Sequence, residues 1–277
     1  MKASEWVPRV NDNYGMLLFL GRSGCGKSGA AASHPGKRFI HDIDYRFGGV
    51  GSMIAQKMIL SEDLEYEQYP NSAQGFSKFF KNLDKQAVDS VVPNRPNFPA
   101  MIQIDSVASF NELLMKYAAA ANANVGQTIQ FEAGPKIRLT HMGDYRFEIN
   151  ETRDILGKLK SLPCTVIWTG HTIPRWGKKE GADPYADNVI LGEMLNARDK
   201  FAEDFVSRFD NVFVFDREEL NSKMRFTVKF FSNLAKNTFG IGPGAHLITD
   251  IPFFVYFKEL LKDPKKPTLE IRKVLGL

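Results

Sequence analysis

The 277-residue chain has two cysteines, Cys25 and Cys164, too few for a disulfide framework or a tetrahedral zinc cluster. Long apolar stretches are also missing. The run Met16–Leu20 near the start covers five residues, against the roughly 20 that cross a bilayer. Residues 1–13 carry charges and Pro8 but no apolar segment followed by a small-residue cleavage site, so a secretory leader is not expected and the chain is assigned to the cytoplasm. Charge imbalance is slight: 36 Lys plus Arg against 32 Asp plus Glu leaves +4, which tolerates a polyanionic partner without demanding one. No internal repeat or low-complexity tract occurs. With 43% hydrophobic and 25% charged residues, disorder, collagen-like repeats and long coiled coils are excluded, leaving one large α/β domain or a domain with a small appendage.

What is present starts with Met16-Leu17-Leu18-Phe19-Leu20, a continuous apolar run expected of a parallel strand buried on both faces. Gly21-Arg22-Ser23-Gly24-Cys25-Gly26-Lys27-Ser28 follows at once, and Gly29-Ala30-Ala31-Ala32 reads as the start of a helix. This is the Gly-x-x-x-x-Gly-Lys-Ser phosphate loop in its strand, loop, helix context, a pattern that arises by accident in roughly one chain in a hundred of this length. The glycines let successive N–H groups turn inward as an anion nest. Residues 21–29 are therefore the expected nucleotide cradle, with Lys27 reaching the β- and γ-phosphates and Ser28 offering its hydroxyl to Mg²⁺. Cys25 is read as a small filler.

Two further strand ends carry acids. Phe98-Pro99-Ala100-Met101-Ile102-Gln103-Ile104-Asp105-Ser106 is apolar up to Asp105, placed to serve the Mg²⁺ shell from a neighbouring strand. Lys37-Arg38-Phe39-Ile40-His41-Asp42-Ile43-Asp44 runs into two acids, and either they cap the following turn or Asp44, with Asp42 behind it, orients or deprotonates the attacking water. Pro163–His171 is another strand whose end, at His171, is expected beside the γ-phosphate as a sensor of its presence. Val212–Asp216 and Met224–Phe230 read as an antiparallel edge pair. Helical stretches are expected over Gly51–Leu60, Ser72–Val88, Ser106–Ala121, Arg146–Leu162 and Leu191–Phe209, with short helices over Phe253–Leu261 and Thr268–Leu275. Alternating strands and helices imply right-handed crossovers and a mostly parallel sheet with helices on both faces.

The chain resembles the RecA-like branch of P-loop ATPases, and within it phage-encoded ATP-binding proteins related to single-strand-annealing recombinases. The resemblance rests on Gly21–Ser28, Phe39–Asp44, Ile102–Ser106 and Thr169–His171, and covers about Tyr14–Asn237. It implies ATP and Mg²⁺ as ligands, a homo-oligomeric ring or filament, and action on single-stranded DNA. It also implies Asp44 as the catalytic carboxylate, where Glu is more usual, His171 as a sensor where Gln is common, and Lys236 as a cation inserted into a neighbour's site. The resulting division is a RecA-like core over residues 1–239 and a helical appendage over 240–277, packed on the core or on a neighbour.

Two long connections are candidates for the nucleic-acid contact. Asn122–Tyr145 carries Lys136 and Arg138. Ile173–Glu180 combines Arg175, Lys178 and Lys179 with Trp176, cations for phosphates and a ring for stacking on a base. From these residues an ATPase acting on single strands is the first reading. A small-molecule or nucleotide kinase on the same core and a non-hydrolysing nucleotide-binding scaffold are the alternatives.

Overall fold

A computed structural model describes residues 13–46, 48–57, 59–91, 98–122, 128–130, 136–138, 140–177, 189–197, 199–220, 222–230, 239, 241 and 245–276. The central strands form because short apolar runs can be buried on both faces only when paired on both edges. These are β1 (Met16–Gly21), β2 (Arg38–Asp42), β4 (Met101–Asp105), β7 (Thr165–Gly177) and β9 (Asn211–Leu220). Eight strands of the nine-stranded sheet run in the order β11-β10-β9-β1-β7-β4-β2-β3, where β3 is Leu64–Gln68, β10 is Lys223–Lys229 and β11 is Ala245–Leu247, and the ninth, β8 (Val189–Leu195), pairs with β7 off this row. All pairs from β9 to β3 are parallel, and β10 and β11 close one edge antiparallel. This is a mostly parallel sheet with antiparallel edge strands, the arrangement expected from the sequence.

Alternate residues of each strand feed the two faces. Leu18, Ile104, Trp168 and Val212 pack on one side with α3 (Ala73–Ser90), α4 (Val107–Ala121), α5 (Met142–Lys160) and α6 (Asp199–Ser207). On the other side Leu17, Phe19, Ile167 and Phe213 pack with α1 (Lys27–Ala32) and α7 (Phe253–Lys262). Here α2 (Gly48–Ala55) covers Ala32 and Ile40 through Val50. The segment after residue 244 is thus part of the packing: β11 extends the sheet, and α7 lays Phe253 and Phe257 against Phe213, Phe215 and Phe230. Helix α8 (Thr268–Val274) adds the buried Ile271 to the same cluster.

Three expectations need correction. Ile173–Gly177 is not a loop. Beyond His171, β7 leaves its neighbours β1 and β4 and continues as an arm paired antiparallel with β8 (Val189–Leu195). Pro174 is tolerated there because an arm with one partner leaves outward N–H positions unused. Residues 191–195 accordingly belong to a strand, and the helix expected from Leu191 starts at Asp199. The connection 122–145 contains a short hairpin of β5 (Thr128–Gln130) and β6 (Lys136–Arg138), and α5 begins at Met142 behind an N-cap from His141.

Candidate functional site

The loop between β1 and α1 takes its shape from glycines, of which Gly21, Gly24 and Gly26 hold positive φ. Gly24 (φ 74°) and Gly26 (φ 88°) hold left-handed backbone that a Cβ disfavours, and a Cβ on Gly24 would stand 2.6 Å from Arg217 Nη1. Lys27 is buried at the end of the loop. Its Nζ donates to Gly21 O at 2.9 Å and Arg22 O at 2.8 Å, so the ammonium is held at the mouth of the cradle by the loop's own carbonyls. Burial lowers its pKa from the ordinary lysine value, against the opposing effects of the Cys25 sulfur that its ammonium faces at 3.6 Å and of the charges of Asp105 and Asp44. Cys25 is buried in the core beneath, and burial raises its thiol's pKa, so it stays a neutral filler.

Asp105 ends β4, with Asp42 of β2 and Thr169 of β7 beside it in register. Ser28 Oγ donates to Asp105 Oδ2 at 2.5 Å and Thr169 Oγ1 donates to Oδ1. Burial raises the Asp105 pKa and the charges of Asp44 and Asp42 add to the shift, while the bonds from Ser28 and Thr169 oppose it. A buried carboxylate with a hydroxyl 2.5 Å away is an all-oxygen pair of the kind a hard divalent cation takes, although no cluster of three or more ligating side chains occurs among the described residues. Ser28 and Asp105 therefore fit Mg²⁺.

After β2 the chain crosses the end of β4: Ile43 N and Asp44 N both donate to Asp105 O, at 2.7 and 3.1 Å. Asp44 Oδ1 accepts from Ser106 Oγ at 3.1 Å and from Ser109 Oγ, and its Oδ2 lies 3.6 Å from His171 Nε2. Burial alone would push its pKa up. The neighbouring His171, the Ser106 hydroxyl and the charge of Arg46 outweigh burial and bring it below the ordinary carboxyl value. Asp42 is engaged otherwise, accepting from Arg46 N at 3.1 Å and Gln68 Nε2 at 2.8 Å, which ties the turn and β3 to β2. His171 pairs in register with Gly21, at the threshold of the loop.

The loop, Lys27, Ser28, Asp44, Asp105 and His171 all line one cavity of about 700 Å³. Gly29 also lines it, Arg22 joins it only through the bond of its carbonyl to Lys27 Nζ at 2.8 Å, and Ser23 Oγ accepts from Arg46 Nη1 at 3.4 Å. Four contributors went unrecognised in the sequence. Thr169 is a polar residue closing an apolar strand, and Ser106 with Ser109 form an i, i+3 pair beginning at the N-cap of α4; both patterns were available as signals. Arg46 lay within reach of the acid it follows. The apolar wall of the cavity, from β10 and the turn after β11, had no local signal, because its parts come from distant segments.

Of the nucleic-acid candidates, Arg175 is exposed on the arm, opposite Gly192. Trp176 belongs to β7 and Lys136 and Arg138 to β6, but their side chains lie outside the described residues, as do Lys178, Lys179 and Lys236 entirely. No helix among the described residues is long and apolar enough to cross a membrane.

No protein-family model matches the chain, and no curated protein matches it in sequence. Among solved structures, a KaiC-like protein from the hyperthermophilic archaeon Pyrococcus horikoshii is similar with a TM-score of 0.44 and 13% identity, over 87% of this chain and 88% of that one.

Proposed function

We propose that the protein binds Mg-ATP in this cavity and hydrolyses it, acting as a RecA-like homo-oligomer, ring or filament, on single-stranded DNA during phage recombination or replication. One observation carries the nucleotide part of this reading: the glycine-shaped loop, the buried Lys27 and the Ser28–Asp105 pair converge on a cavity that Asp44 and His171 also line. Lys27 neutralises the phosphates as its ammonium exchanges the loop carbonyls for phosphate oxygens. Ser28 and Asp105 hold Mg²⁺, which supplies charge neutralisation at the transferring phosphoryl group when bound. Asp44 is ionised at neutral pH and its lowered pKa makes it a weak proton acceptor, so its part is to orient the attacking water, with Ser106 and Ser109 fixing the carboxylate. His171 reads the state of the site through its contact with Asp44. Support for a single-strand contact comes from the exposed Arg175, four residues beyond His171 on the same strand and next to Trp176 in the sequence. Lys236 is the proposed cation inserted into a neighbouring subunit's site.

A second reading, a nucleotide-binding scaffold without turnover, is favoured by the engagement of both Asp44 oxygens, which leaves less acceptor capacity for water. Measuring ATP turnover at several protein concentrations, with and without a single strand, separates the two. Hydrolysis that rises with concentration and with DNA supports the first; ATP binding without turnover supports the second. Lys27→Ala and Asp105→Asn are each expected to lower hydrolysis by about 10²- to 10³-fold with the fold intact. Unchanged turnover in either removes the site.

A further inference from the structure

Strand order gives the cavity a direction. β1, which delivers the phosphate loop, lies between β7 and β9. Asp105, Thr169, His171 and Asp44 all stand on the β7 and β4 side, so on the ATP reading above, on which this proposal rests, the terminal phosphate points that way. The remainder of the nucleotide must then leave over the loop toward β9 and β10. There apolar side chains enter the lining, Met224 and Phe226 from β10 and Ile248 and Ile251 from the turn after β11, with Thr249 and Asp250 of the same turn between the two isoleucines.

Met224 and Phe226 are two apart on a strand and so share one face. The Phe226 ring borders the loop itself, since a Cβ on Gly26 would meet its Cδ1 at 3.5 Å. Its backbone is fixed: Phe226 N donates to Thr249 Oγ1 at 2.8 Å, and Ile248 N donates to Phe226 O at 2.9 Å. The turn is closed by Ile251 N donating to Ile248 O at 3.2 Å. Core packing accounts for Ile248 and Ile251, which are buried, but not for Met224, which is 41% exposed and belongs to no core cluster. A rigid ring beside a polarisable thioether, next to a phosphate cradle, is a surface suited to a flat aromatic heterocycle.

We propose that Met224 and Phe226 form the platform on which the nucleobase of bound ATP lies, with Ile248 and Ile251 as its backing. The test is calorimetric titration of the full chain with Mg-ATP and, separately, with magnesium tripolyphosphate, which has the phosphates but no base. Wild-type protein is expected to bind ATP at least about tenfold more tightly than tripolyphosphate. Phe226→Ala is expected to weaken ATP by about tenfold and Met224→Ser by a smaller factor, while tripolyphosphate affinity holds within about twofold in both. Met224 is exposed, so its variant keeps the experiment decisive should Phe226→Ala fail to fold. Three outcomes overturn the platform while leaving the phosphate site standing: equal wild-type affinity for the two ligands, unchanged ATP affinity in both variants, or parallel loss of ATP and tripolyphosphate, which would mean that the ring only props the loop. Wild-type protein that binds neither ligand overturns the ATP reading and the platform together.

Discussion

His41 sits in β2 immediately before the acids of the site and is fully buried. Its Nδ1 lies 2.6 Å from the Tyr69 hydroxyl and its Nε2 3.1 Å from Gln86 Oε1, so the neutral ring accepts from the tyrosine and donates to the amide. Asn82 Nδ2 already donates to the same hydroxyl at 3.0 Å, and the rings of Phe39, Phe79 and Tyr69 surround the imidazole. A second proton on that ring would have to be buried among them. Burial accordingly lowers the His41 pKa from 6.5 to about 4. The sign follows from proton uptake. Above the unfolded value both states are neutral. As pH falls below it, the unfolded chain takes a proton that the folded chain refuses until about pH 4. Folded stability therefore declines across that window, by about 1.4 kcal/mol per pH unit and about 3 kcal/mol in all. Against a total of about 5–15 kcal/mol for a typical protein, that is a large share. Urea unfolding of wild type and His41→Gln, at steps from about pH 7 to about pH 4, isolates the histidine from the other titrating groups. The wild type should lose about 3 kcal/mol more than the variant over the window. Parallel curves for the two proteins would refute the account of a neutral, proton-refusing imidazole.

Three other perturbations test the remaining parts of the structure. Gly75→Ala would set a Cβ 1.8 Å from Pro70 O, a backbone atom that cannot step aside, and should cost roughly 2–3 kcal/mol in chemical denaturation; a cost near zero would mean that the first turn of α3 is misplaced. Phe257→Ala empties a fully buried position stacked on Phe253 and Phe230 and should cost about 3–5 kcal/mol in one cooperative transition, whereas a separate early transition would show that α7 melts independently of the sheet. Arg175→Ala combined with Trp176→Ala should weaken single-strand affinity by about tenfold or more with ATP affinity unaltered, and the logarithm of wild-type affinity should fall linearly with the logarithm of salt. Binding that ignores salt contradicts a phosphate contact.

The residues that line the candidate site were legible where they are contiguous in sequence. The phosphate loop, the acid closing β4 and the apolar run of β1 are each contiguous, and the antiparallel pairing of β9 with β10 showed in the contrast between a continuous and an alternating run. What escaped was non-local. β3 reads Leu-Glu-Tyr-Glu-Gln, too polar for a buried strand, because it lies at the open edge and needs only β2 for its ladder. The arm escaped because Pro174 and Gly177 imitate a loop, and only the pairing with β8 overrides them. Of the paired acids, Asp42 and Asp44 carry the same chemistry in the sequence, and it took Gln68, from β3, to distinguish the one that ties a turn from the one that faces the cavity.

The unbroken run of β7 has a mechanical consequence. At about 3.3 Å per residue, Arg175 stands roughly 13 Å past His171 on a ribbon stiffened by hydrogen bonds to β8. Such a ribbon is a lever with its fulcrum where β1 and β4 let go: a pivot of about 10° at the fulcrum sweeps the tip through about 2 Å. A swivel of that size at His171 would be carried along the paired ribbon to Arg175 without melting either strand.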